Sequence, residues 1–197
     1  RDSDKWGNKS KYNSTYAGNE DLNAVGWYNG NTTSIKPVGL KRPNAIGIYD
    51  MSGNVWEWCW DLHGTTYPSS EENPTGASSG SSRVRRGGSW RSNDNGCRVA
   101  LRFSFDPDNS YSDLGFRLCR KYSDTLLAND VVVQAKLEEM QAIGGDGGST
   151  FTDCKIDSFL MQKYPVTVAE YSGTGTDTKP KVSITWYDAV KFANDKS

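Results

Sequence analysis

Seven tryptophans, ten tyrosines and six phenylalanines are set among twenty glycines in this chain of 197 residues. That pairing limits the fold, because apolar runs such as Val131-Val132-Val133 are short and regular periodicity is scarce. With a mean hydropathy of -0.71, much irregular backbone must be pinned by a few large aromatic side chains. A loop-rich fold with limited regular structure is expected. The same short runs fall far below the roughly 20 residues of a membrane span, so direct membrane insertion is not expected. No signal-peptide pattern is visible in the sequence.

Lys plus Arg is 23 and Asp plus Glu is 24, a net charge of -1, so nothing draws the whole chain toward nucleic acid. The stretch from 83 to 121 is locally basic through Arg83, Arg85, Arg86, Arg91, Arg98, Arg102, Arg117, Arg120 and Lys121. Structural pairing of these arginines is the stronger reading, and no nucleic-acid partner is expected. His63 is the single histidine, which removes most nucleophile-base pairs and multi-histidine metal sites. It reads as a surface or packing residue. Cys59, Cys97, Cys119 and Cys154 show no C-x-x-C spacing, and free thiols are favoured over disulfides, with the pairing left open.

Local signals predict few elements. Trp186, Ala189, Val190 and Ala193 place a helix over 184–194, with Thr185 and Asp188 spaced as a cap. Thr167 and Glu170 mark a second helix start after a short strand at 161–164. Further strands are expected at 131–137 and 151–160, separated by a turn at 144–148. Residues 1–83 read as packed loops, and 69–82 as an exposed, mobile one.

Four segments are more specific: Gly47-Ile48-Tyr49-Asp50-Met51-Ser52-Gly53-Asn54-Val55-Trp56-Glu57-Trp58, Arg83-Val84-Arg85-Arg86-Gly87-Gly88-Ser89-Trp90, Cys97-Arg98-Val99-Ala100-Leu101-Arg102 and Gly115-Phe116-Arg117-Leu118. In that order the chain resembles the formylglycine-generating-enzyme (sulfatase-modifying factor) family. The resemblance implies a single α+β domain over 1–197 with a C-type-lectin-like fold, loop-rich, with small antiparallel sheets and two helices. Residues 138–197 resemble the family's amino-terminal half, which here follows the carboxy-terminal half, and the segment that joins them is absent. Either the chain is a circular permutant lacking that segment, or the stretches 1–121 and 122–197 stand out of their biological order with a piece missing. Deleting a core helix would be very destabilising, which favours the second.

The family's enzymes oxidise a substrate cysteine with a copper-holding cysteine pair. By the resemblance, the second cysteine falls on Cys97 and the first on Ser92. One thiol and one hydroxyl cannot supply two soft thiolate ligands, so copper and catalysis are not expected. A formylglycine-generating or related cysteine-dependent oxidase stands as the alternative.

Residues 91–114 suggest another use. Arg91, Ser92, Asn93, Asp94, Asn95, Gly96, Leu101, Phe103, Ser104, Phe105, Asp106, Tyr111, Ser112, Asp113 and Leu114 are loop and recognition types. They interleave with anchors such as Arg98, Ala100, Arg102, Pro107 and Gly115, and none is Lys, Glu, Gln, Met or Trp. All are encodable by codons ending in a pyrimidine, as adenine-directed randomisation of asparagine codons would leave them. In this setting the region looks like the variable region of diversity-generating-retroelement proteins. The resemblance implies a non-enzymatic receptor or adhesin-like protein at a bacterial cell surface. Its ligand contacts would come from Arg91, Ser92, Asn93, Asn95, Leu101, Phe103, Ser104, Phe105, Asp106, Tyr111, Ser112 and Asp113. The partner is an unknown protein or cell-surface ligand, and a monomer is expected. A competing reading makes Phe103 and Phe105 core residues on one strand face.

The family also holds a calcium ion at the positions matching Asp50, Gly53, Val55 and Glu57. Two carboxylates and two carbonyls suit that hard cation. The alternative is that Asp50 caps a turn and Glu57 pairs with Arg98 or Arg117.

Overall fold

The computed structural model describes residues 14–65, 73, 75–122, 129–133 and 157–196. Strand β1, Trp56–Leu62, is an inner strand of a four-stranded sheet with β2 (Arg83–Arg86), β3 (Arg102–Phe105) and β4 (Leu114–Phe116), in the order β3-β2-β1-β4. Packed loops were expected up to residue 83, so β1 corrects that reading. Its alternation of Trp56, Trp58 and Trp60 with Glu57, Cys59 and Asp61 has the two-residue period of a strand. A second correction concerns strand direction, because β4 runs parallel to β1. After the β1-β2-β3 antiparallel meander, the chain over 106–113 returns it to the same end of the sheet.

A smaller antiparallel sheet orders β5 (Cys119–Lys121), β7 (Phe159–Gln162) and β6 (Asp130–Val133) as β5-β7-β6. The strands expected over 151–160 and 161–164 meet in β7, and β6 begins the one expected from 131. Residues 134–137, 144–148 and 151–156 lie outside the described residues. Of the loop 69–82, residues 73 and 75–82 are exposed or half-buried.

Both expected helices form, and a third, α1 (Leu22–Val25), precedes them. Asp21 caps α1 by accepting from the Asn23 N–H, and its Leu22 and Val25 bury against Cys97. Thr167 caps the short α2 (Val168–Ser172), which ends where Gly173 turns left-handed at φ 70°. In α3 (Trp186–Lys196), Thr185 accepts from the Asp188 N–H at 3.1 Å while Asp188 accepts from the Thr185 N–H at 3.0 Å. That reciprocal cap is the one the sequence spells.

One core joins the two ends of the chain. Trp56, Trp58, Leu114 and Phe116 pack with Val166, Ile184, Trp186, Ala189 and Phe192. Burying each such large side chain contributes about 1.5–3 kcal/mol, so 166–192 is integral to the same α+β domain as 56–116.

Candidate functional site

The turn after β2 is fixed from below. Ser89 is fully buried, and its hydroxyl donates to Asp113 Oδ2 at 2.7 Å. Its N–H donates to Ser92 Oγ at 3.0 Å. The Trp90 N–H donates to the Asn54 carbonyl at 2.9 Å, and the Ser92 carbonyl accepts from Asn29 at 3.0 Å. Asp94 then caps a single 3-10 turn over Asn95–Cys97. The 106–113 loop is equally held, through the Trp186 N–H to the Pro107 carbonyl and the Ser183 N–H to the Tyr111 carbonyl. Arg86 donates to the carbonyls of Val99 and Leu101, and Arg102 to that of Gly64. These arginines serve the frame, as their sequence context suggests.

On this frame the candidate ligand residues divide by exposure. Arg91, Asn93, Asn95, Phe103, Ser104, Asp106, Tyr111 and Ser112 are exposed, while Ser92, Leu101 and Phe105 are half-buried. Asp113 does not belong on the surface. It is 8% exposed and accepts the Ser89 hydrogen bond, because a buried carboxylate needs a donor. The same bond holds residues 111–113 beside the 89–92 turn.

Phe103 and Phe105 take different roles despite lying on one face of β3. Phe103 and Tyr111 are each 46% exposed, whereas Phe105 packs on the core. Phe103 meets Trp56 edge-on at 5.6 Å between ring centroids, and Phe105 lies 4.8 Å from Tyr111. Arg85, opposite Phe103 in register, places its guanidinium 4.7 Å from the Trp56 ring and 4.6 Å from the Phe105 ring. The sequence places Arg85 in a basic stretch and in the motif ending at Trp90, and neither shows that it lies among these rings.

Two of the described thiols, Cys97 and Cys59, are held in their unreactive form. Cys97 is fully buried, and burial, reinforced by Asp94, pushes its thiol up to about 12. Cys59 is likewise pushed up to about 12, mainly by burial. Both are therefore protonated at neutral pH, and the thiolate is the reactive and metal-binding form. Cys59 and Cys119 line a cavity of about 360 Å³ with Met51, Met161, Glu57 and Trp58. None of the twelve candidate ligand residues lines it.

Of the four candidate calcium positions, Glu57 is engaged by Arg117. Arg117 Nε donates to Oε2 at 2.9 Å and Nη2 to Oε1 at 2.7 Å. Asp50 sits in left-handed backbone at φ 56° and is 3% exposed. Its Oδ2 accepts from the Gly39 N–H at 2.8 Å, but its buried Oδ1 has no hydrogen-bond partner. Burial raises the Asp50 carboxyl to about 6, against the Gly39 hydrogen bond and the Arg117 charge. An orphaned acidic oxygen next to a carboxylate with spare lone pairs fits a hard cation.

The chain resembles known proteins. It is 33% identical over 132 residues to the Chaperone protein LppX of Paenibacillus barcinonensis, covering 58% of this chain and 44% of that protein. It is 46% identical over 89 residues to the Formylglycine-generating enzyme of Streptomyces coelicolor, covering 43% and 28%. The solved structure of Treponema denticola variable protein 1 superposes with a TM-score of 0.50 at 36% identity, covering 57% of this chain and 42% of that one. The chain thus spans less than half the length of these relatives. Residues 2–122 match the family described as Sulfatase-modifying factor enzyme 1-like domain, and with its motifs set in a loop-rich α+β fold, this chain belongs to that family.

Proposed function

We propose that this domain is a non-enzymatic recognition scaffold, binding an external protein or cell-surface ligand through the exposed residues of 91–112. One observation carries the reading: buried Ser89 bonds to both Ser92 and Asp113, and Phe105 packs on Tyr111, so the three segments that carry the exposed candidates are tied together from below. That division of labour suits a surface whose contacts change while the fold does not. The likeness to a Treponema denticola variable protein supports it. A diversified receptor meets its ligands outside the cell, so a bacterial surface location belongs to the same proposal. The test is to sequence the encoding locus in sibling isolates. Differences confined to adenine-matched positions over 91–113, beside a near-identical template repeat, are expected. An invariant region without a template overturns the reading.

The identity with formylglycine-generating enzymes favours a second reading, a cysteine-dependent oxidase using Cys97. Against it stand Ser92 in place of a partner thiol and the buried, protonated state of Cys97. Oxygen consumption with Cu(I) and a cysteine peptide, lost in Cys97→Ala, would establish it; no turnover is expected.

Calcium belongs to the scaffold in this proposal: Asp50, Glu57 and the carbonyls of Gly53 and Val55 would hold it, and it would supply charge neutralisation for the buried Asp50 carboxylate. In chelator, Asp50 carries a pKa of about 6 in the folded state, above its unfolded value, so the native state binds the extra proton. Stability is then highest below pH 4 as far as this group is concerned and is lost as pH rises through 6, by about 3 kcal/mol. Two results are expected in thermal melts: millimolar calcium raises the Tm at pH 7.5, and Asp50→Asn flattens the pH dependence seen in chelator. No calcium effect at pH 7.5 would remove the ion from the scaffold.

A further inference from the structure

Arg85 stands apart from the other arginines of the sheet. Arg86 and Arg102 donate to backbone carbonyls, and Arg117 is saturated. The Arg85 side chain makes no hydrogen bond or ion pair among the described residues, and its Nε is buried without a partner. Its ring contacts are instead extensive, with Trp56, Phe105 and, at 5.9 Å, Phe103. These rings restrain the side chain beside exposed Phe103 and Tyr111, within the candidate ligand face.

The nearby Asp113 charge favours the cation but is not paired with it. Asp113 acts on Arg85 only through space, and its Oδ2 is committed to the Ser89 hydroxyl. Burial lowers the Arg85 pKa, with Asp113 and Tyr111 opposing. A guanidinium partly stripped of water, held by stacking and with no carboxylate hydrogen-bonded to it, is prepared for one. Its planar fork matches a carboxylate through two parallel N–H bonds.

We propose that Arg85 is the fixed anchor of the ligand surface, seating a side-chain carboxylate of an acidic protein ligand between Phe103, Phe105 and Tyr111. The inference rests on the recognition reading above and gives it a ligand chemistry. Arg85 and Trp56 lie outside the diversified set, so every version of the surface would share the cation and this one stacking ring, while Phe103, Phe105 and Tyr111 vary around them. A polyanion such as nucleic acid fits worse. Asp94, Asp106 and Asp108 are exposed along the same stretch of chain, and their charge opposes a chain of phosphates more than a single carboxylate.

The test titrates the full chain, labelled with nitrogen-15, with 3-phenylpropionate, with its neutral amide and with inorganic phosphate. The Arg85 Nε–Hε and Trp56 indole resonances are followed. Saturable shifts with the carboxylate are expected, with binding at least about tenfold weaker for the amide, as loss of a charge-assisted hydrogen-bond pair requires. Arg85→Lys should weaken carboxylate binding, and Arg85→Met should bring it down to the amide's level. Equal binding of amide and carboxylate overturns the proposal, as does phosphate binding more tightly than the carboxylate, or the absence of any Arg85 shift. The wild-type comparison of acid with amide stands even if a variant fails to fold. If these arms fail while sibling isolates differ over 91–113, only the anchor falls; if carboxylate binds but the locus is invariant, the diversified-receptor reading falls and the anion site remains.

Discussion

Arg117→Met is expected to destabilise the domain by about 3–5 kcal/mol, the cost of stripping one partner from a buried ion pair. Arg117 lies in the family motif that follows Leu114, and its guanidinium makes five hydrogen bonds. Two go to Glu57, one to the Tyr49 carbonyl at 2.8 Å, and two to the carbonyls of Gln162 and Lys163 at 3.2 and 3.0 Å. The bonds tie β1, the Asp50 loop and the end of β7 to β4, so one side chain joins the two sheets. Methionine fills similar volume but leaves the Glu57 carboxylate and the Tyr49 carbonyl without these donors, while the Lys163 carbonyl keeps only the Tyr49 N–H. Against a typical total of about 5–15 kcal/mol, the urea midpoint should fall by about a fifth or more. The double change Glu57→Gln with Arg117→Met should recover part of the loss, because it removes the uncompensated charge. A shift under about 1 kcal/mol, the value of a solvated surface pair, would refute the buried-hub description.

What the sequence made legible was local. Thr185 and Asp188 wrote the α3 cap in three residues, and Thr167 did the same for α2. Glu170, however, turned its carboxylate to Gln162 at 2.8 Å and left the second cap only half-built. The β1 strand had a readable signal in its alternating tryptophans, obscured by the glycine, asparagine and serine around it. Asp113 and Arg85 had none. Asp113 is buried because Ser89, 24 residues away, reaches it. Arg85 lies among rings because the register places it between Trp58 and Phe103. Both facts depend on non-local pairing, which no short window of sequence encodes. The same holds for Glu57, where pairing with Arg117 was one of two open readings and required a partner 60 residues on.

Gly88→Ala should be almost as damaging, at about 4 kcal/mol, since two named effects add at one atom. Gly88 is left-handed at φ 75°, a region that strains an L side chain. A Cβ there would stand 2.7 Å from Cys97 Sγ, 2.7 Å from the Gly96 carbonyl oxygen and 2.9 Å from Cys97 Cα. Two of those contacts are backbone, so relief requires moving the 3-10 turn rather than rotating a side chain. That turn carries Asn95 and abuts Asn93, which makes the damage functional as well as structural. The outcome separates the two roles: the Tm falls, and the buried Cys97 thiol becomes open to alkylation in the variant that remains folded. Ser89→Ala, which removes only the donor to Asp113, should cost about 1–3 kcal/mol and leave Cys97 protected. If Gly88→Ala behaved like Ser89→Ala, the turn would be compliant, and the rigid frame on which the recognition proposal depends would not exist.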